Sequence, residues 1–192
     1  IVTSPIHYCL LMVLYMDMET ADFITVKALV DLFIKQEHII NRLDMIKNQS
    51  INDWEKWLQL ELEFFMRQHE SIANVEREVP YLCDRRSAPD RFTMFVDLKF
   101  RKKRARLDSY IFLELKCSRS PTALINNMEK DIEKLSCMRA SGDDGRSFWC
   151  VGFYTNTSER SATTIKKRLG DYYYKHHESI PLQKGEIGYV IM

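Results

Sequence analysis

The chain has 192 residues, enough for one domain or for one domain with a helical appendage. Its 45% hydrophobic and 29% charged residues are globular proportions, which excludes a disordered or fibrous chain. With 28 basic and 27 acidic residues the formal charge is +1, so a nucleic-acid surface would have to come from local clustering, not from bulk charge.

Residues 1–16 are apolar but too short to span a bilayer, and they lack the basic flank and cleavage site of a signal peptide. The first residue is Ile, so we expect a piece of a longer polypeptide whose partner domains lie elsewhere. Residues 1–47 read as helices, with Val26, Leu29, Leu32, Phe33, Ile39 and Ile40 at helical spacing. A polar joint at residues 48–50 separates them from a helix reaching about residue 70, capped by Asn52 or Asp53 and striped by Trp54, Trp57, Leu58, Leu62 and Phe65. Four strand signals follow: 75–82, 92–101, 109–117 and 148–154, the last apolar enough to be buried on both faces. Between the third and fourth, Ser120 as N-cap and Pro121 at the first helical position open a helix with Leu124, Met128, Ile132 and Leu135 on one face. Residues 141–145 form a loop. Ser158 caps a helix over about 159–177, and Gly185 precedes a final strand, 186–191. The order α-β-β-β-α-β-α-β after the N-terminal helices predicts an α/β fold with a mixed sheet and helices on both faces.

The chemistry concentrates in FTMFVDLKFRKKRARLDSYIFLELK. If residues 92–101 and 109–117 form a hairpin centred near Ala105 and Arg106, Asp97 and Glu114 lie symmetrically about the turn and are cross-strand neighbours. Side chains alternate faces, so Glu114 and Lys116 share one face, opposite Leu113 and Leu115. Two carboxyls and an ammonium then meet in an apolar strand context, where a charge costs several kcal/mol unless it is paired or bound to metal. A hard cation such as Mg²⁺ takes carboxylate, water and phosphate oxygens and would relieve the repulsion of paired acids.

This pattern resembles the PD-(D/E)XK phosphodiesterase superfamily, the restriction-endonuclease-like fold. Asp97 matches its first acid, and Glu114-Leu115-Lys116 matches its E-x-K element. The family core of helix, three strands, helix and strand matches residues 52–154 in order. The resemblance implies Mg²⁺- or Mn²⁺-dependent hydrolysis of a nucleic-acid phosphodiester, with a DNA endonuclease favoured over action on RNA. Asp97 and Glu114 would hold the metal, and Lys116 would orient or deprotonate the attacking water or stabilise developing charge. It also implies a further metal-binding glutamate on the first core helix, Glu61 with Glu63 as second choice, and polar residues on the next helix, for which Asn127, Asp131 and Lys134 are candidates. The Pro-Asp pair of this chain stands at Pro89-Asp90, earlier than the favoured strand position. Asp90 is therefore the second choice for the first acid and Asp108 the third.

The bland reading of Asp97, Glu114 and Lys116 is a cross-strand salt-bridge cluster on a wet sheet face, but YIFLELK has too little polar alternation for such a face. Arg101, Lys102, Lys103, Arg104 and Arg106 sit at the hairpin tip, placed to contact phosphates. Lys166, Lys167 and Arg168 read as a solvated helix face. Tyr172, Tyr173 and Tyr174 with His176 and His177 read as helix packing before base stacking. His7, His38 and His69 show no ligand spacing. Five scattered cysteines, at positions 9, 83, 117, 137 and 150, suggest reduced thiols in an intracellular protein, cytoplasmic or nuclear. We therefore expect residues 1–47 as a helical N-terminal segment and 48–192 as a nuclease core. Its partners would be nucleic acid, with a homodimer or further domains in addition, and no membrane. The rival is a non-catalytic nucleic-acid-binding or interaction module on the same fold.

Overall fold

In the computed structural model, residues 5–84, 92–136, 138 and 145–192 are described, with side chains from residue 18 onward except that of Ser136. The expected loop at 141–145 lies outside them but for Gly145, as does Asp90. The elements are α1 (Pro5–Ile34), α2 (Glu37–Asn48), α3 (Glu55–Gln68), β1 (Ile72–Leu82), β2 (Thr93–Lys102), β3 (Tyr110–Ser118), α4 (Pro121–Ser136), β4 (Gly145–Tyr154), α5 (Glu159–Arg168), β5 (His176–Leu182) and β6 (Gly185–Ile191).

The six strands form one mixed sheet in the order β1-β2-β3-β4-β6-β5. Among them only β3 and β4 pair in parallel, joined by the α4 crossover that such a pair requires. The β2–β3 pairing runs Leu98–Leu113, Lys99–Phe112 and Phe100–Ile111, the register expected of a hairpin centred near Ala105 and Arg106. Its next rung outward is Asp97 and Glu114.

Helices cover both faces. On one, Val26, Leu29 and Phe33 of α1, Ile39 and Leu43 of α2, and Leu58 and Leu62 of α3 pack with Leu98, Leu113, Leu115, Val151 and Ile187 of the sheet. The N-terminal helices thus share the sheet's main core. On the other, Leu124, Ile125 and Met128 of α4 and Ile165 of α5 pack against Cys150, Tyr154 and Val190. A third cluster joins Leu135 to Tyr81, Met94, Val96 and Phe112. Gly152 on β4 permits the close approach of α4: a Cβ there would lie 2.5 Å from Met128 Sδ and 2.9 Å from Leu124 Cδ1.

Three local expectations are corrected. Neither Asn52 nor Asp53 caps α3; the N-cap position is Trp54, whose ring is buried in the core instead. Leu32 is exposed, because the face that α1 turns inward carries Val26, Leu29, Val30, Phe33 and Ile34 and leaves Leu32 outside it. The helix after β4 ends at Arg168, and residues 176–182 form β5, an edge strand absent from the sequence reading. Gly170 breaks the helix, and Pro181 is tolerated because β5 has a neighbour on one side alone. The caps at Ser120 and Ser158 are as expected: their hydroxyls accept from Ala123 N at 3.4 Å and Ser161 N at 3.1 Å. No helix among the described residues is long and apolar enough to cross a membrane.

Candidate functional site

Beyond Leu98–Leu113 the β2–β3 backbone pairing stops, and a side chain takes over. Asp97 Oδ2 accepts a hydrogen bond from Leu115 N at 2.8 Å, satisfying an amide that would otherwise face β2 unpaired. The strand also turns over here. Met94 and Val96 belong to the α4-side cluster with Tyr81, Phe112 and Leu135, whereas Leu98 and Phe100 belong to the main core. On β1, Glu78 has φ of 54° between Arg77 and Val79, whose partners Leu98 and Val96 flank Asp97. Asp97 therefore lies at a local irregularity of both strands, and it is 9% exposed.

Glu114 is 1% exposed. Burial and then the charge of Asp97 oppose its ionisation, with Asp131 adding to them, and its pKa is pushed up to about 8. Lys134, one helical turn beyond Asp131 on α4, offsets part of this with an ion pair to Glu114 Oε1 at 3.2 Å.

Lys116, two residues along the same face, meets carboxylates from helices of both layers. Its Nζ lies 3.4 Å from Glu55 Oε1 on α3 and 3.2 Å from Asp131 Oδ2 on α4. Burial works against the ammonium charge, but Glu55, Asp131 and Asp97 outweigh it, and the pKa rises above the ordinary lysine value. Asp131 Oδ2 is buried without a hydrogen bond of ordinary geometry. Glu55 has a second task, since its Oε2 accepts from Cys117 N at 3.1 Å.

Asp97, Glu114 and Lys116 thus converge as expected, and Asp131 and Lys134 join them. Asn127 is exposed on α4. Glu61 is elsewhere engaged: it accepts from Trp57 Nε1 at 3.1 Å and lies 3.7 Å from His38 Nε2. Glu63 pairs with Arg67 and Arg77. The α3 glutamate that reaches the site is Glu55, in the first turn, and its position just before WLQLELEFF was its one sequence signal. Asp108 sits at the exposed hairpin tip in an ion pair with Arg106. Of the basic run, Arg101 turns inward to donate to Ala105 O, and Lys102 pairs with Asp22 at 3.3 Å. Lys103, Arg104 and Arg106 are exposed.

Among the described residues, the group of three or more His, Cys, Asp or Glu side chains whose potential ligand atoms all lie within 4.8 Å of one another is a different one, Asp31, His176 and Glu178. Sequence reasoning missed it because β5 was taken for the end of a helix, which hides the shared face of residues 176 and 178.

Comparison of the chain with protein-family models, curated proteins and solved structures found no match.

Proposed function

We propose that the chain is a metal-dependent phosphodiesterase that hydrolyses nucleic acid, DNA in preference to RNA, on a restriction-endonuclease-like framework. The observation that carries this reading is the buried Asp97–Glu114 pair, adjacent across the β2–β3 hairpin, with Lys116 on the face of Glu114. In charge the donor set suits a hard divalent cation, although no three of its acids bring potential ligand atoms within 4.8 Å of one another. Asp97, Glu114, Asp131 and Glu55 are four carboxyls against the two ammoniums of Lys116 and Lys134. Fully ionised, they leave two negative charges, the complement of one divalent cation. The suppressed ionisation of Glu114 is a feature that such a cation would relieve.

Asp97 and Glu114 would hold the metal, Mg²⁺ or Mn²⁺, with Asp131 close by. When bound, a divalent cation neutralises phosphate charge and acidifies water in its shell. Lys116 stays protonated at neutral pH, so it acts as a fixed positive charge that orients the scissile phosphate and stabilises its developing charge; deprotonating the attacking water falls outside its role. Glu55 and Asp131 hold that ammonium in place from both layers. Lys103, Arg104 and Arg106 at the hairpin tip supply phosphate contacts.

The test is cleavage of circular single- and double-stranded DNA with Mg²⁺, Mn²⁺ or EDTA, comparing wild type with Glu114→Ala and Lys116→Ala. We expect metal-dependent nicking that falls about 100- to 1,000-fold with Lys116→Ala and is abolished with Glu114→Ala. Absence of both cleavage and metal binding would leave the ion pairs of Lys116 and Lys134 as the whole role of the cluster.

A further inference from the structure

On the far side of the sheet's order, the edge strand β5 presents His176 and Glu178 on one face, two residues apart. Asp31, near the C-terminal end of α1, faces them, and the potential ligand atoms of the three residues lie within 4.8 Å of one another. His176 Nε2 is 3.1 Å from Glu178 Oε2. That is close to the edge of a tetrahedral zinc site, where bonds of about 2.0–2.2 Å separate neighbouring donor atoms by roughly 3.3–3.6 Å.

Tyr189 on β6 sits among the three. Its hydroxyl donates to Asp31 Oδ1 at 2.6 Å and lies 3.1 Å from Glu178 Oε2 and 2.8 Å from His176 Nε2. The tyrosine brings one proton to these four close contacts, and the imidazole nitrogen brings one or none according to its tautomer. The cluster is short of protons and rich in acceptors, and Lys27, 2.6 Å from Asp31 Oδ2, is the cation that offsets one of its carboxylates. The Tyr189 hydroxyl is the hydrogen-bond donor that supports the Asp31 carboxylate.

We propose that Asp31, His176 and Glu178 form a binding site for a borderline divalent ion of the zinc type, with three protein ligands, a fourth position open to solvent, and Tyr189 as the supporting donor. An imidazole with two carboxylates prefers such an ion to Mg²⁺, which takes oxygen ligands. The site is separate from the acids of β2 and β3 and does not rest on the nuclease reading. It staples α1 to the edge of the sheet: a ligand from α1 and two from β5 are joined by one ion. The glutamate side chain is 57% exposed, which gives the ion a path in.

The experiment is calorimetric titration of the full chain with Zn²⁺, in wild type, Glu114→Gln, His176→Ala and Glu178→Gln, with the imidazole resonances of His176 followed by NMR. We expect one equivalent that wild type binds and Glu114→Gln retains, apart from any taken up by the β2–β3 acids, a shift of the His176 resonances on its saturation, and an affinity loss for that equivalent of about 100-fold or more in both ligand variants. Because Glu178 is exposed, Glu178→Gln reports on the site even where His176→Ala fails to fold. Unperturbed His176 resonances, or ligand variants that bind as wild type does, would overturn the site. Loss of binding in Glu114→Gln alone would assign the zinc to the β2–β3 acids and overturn it equally.

Discussion

Glu114 is buried beside Asp97, and its carboxyl holds a proton to about pH 8, against an ordinary value of 4.5. Between those two values the folded state binds more protons than the unfolded chain does. Stability of the metal-free protein should therefore be highest on the acid side of this window and fall as pH rises through it. Melting temperatures in EDTA across pH 5–9 check this: wild type should decline, and Glu114→Gln, which cannot ionise, should flatten the profile. Added Mg²⁺ should restore the high-pH arm, because a cation favours the charged form. Lys134→Gln removes an opposing charge and should push the Glu114 midpoint further up, read by NMR titration. Asp97, Glu114 and Lys116 were legible in the sequence because a strand period of two and a symmetric turn fix which residues meet. Of the partners of Lys116, Asp131 was among the candidates on the helix after β3, but Glu55 was not legible, since only the depth and rotation of α3 decide which of its acids reaches inward.

That depth has an identifiable cause in α4. Gly152 leaves room for Leu124 and Met128 to lie against β4, Met128 being three residues before Asp131 and six before Lys134. Gly152→Ala forces a methyl against Met128 Sδ and should destabilise the fold by about 1–3 kcal/mol, measured by urea unfolding. Lifting α4 should also weaken the Lys134–Glu114 pair, so the Glu114 midpoint should rise in the same variant. Elements bounded by caps and apolar periodicity were readable: α4 from Ser120 and Pro121, and β3 and β4 from their apolar runs. The end of α5 and the existence of β5 were not, because HHESIPL carries one deeply buried apolar residue, Ile180. An edge strand with so little core face leaves almost no periodic signal. Naming Glu61, with Glu63 second, missed Glu55 for a related reason: helical spacing tells which residues share a face, but not how far along the helix the neighbouring strand ends.

At the scale of the molecule, a buried acid joins the N-terminal helix to the strands that carry the site. Asp22 is fully buried and accepts from Arg146 at 2.7 and 2.8 Å and from Ser147 at 2.8 Å, with Lys102 at 3.3 Å. Asp22→Ala strands Arg146 beside Lys102 and should cost about 3–5 kcal/mol in chemical unfolding. Because α1 shares the main core with the sheet, that destabilisation should appear in a single cooperative transition reported by β-sheet and helix signals alike. The same ion pair divides the basic hairpin. Lys102 is committed inward, whereas Lys103, Arg104 and Arg106 face solvent. Alanine at those three should reduce the salt dependence of DNA binding, lowering the slope by about 0.9 for each phosphate no longer neutralised, as read from affinity against salt concentration.

Asp97 closes the ladder between β2 and β3 by receiving the Leu115 amide. Its carboxylate is thus a latch as well as a candidate ligand, and the two duties can be timed separately by hydrogen exchange. In Asp97→Asn the side-chain carbonyl still accepts, so the Leu115 amide should stay slow to exchange while the anionic oxygen is gone. In Asp97→Ala that amide should exchange at the rate of a frayed strand end, and the fraying should spread toward Glu114. A variant that loses the charge with the latch shut separates the chemistry of the acid from the mechanics of the strand it fastens.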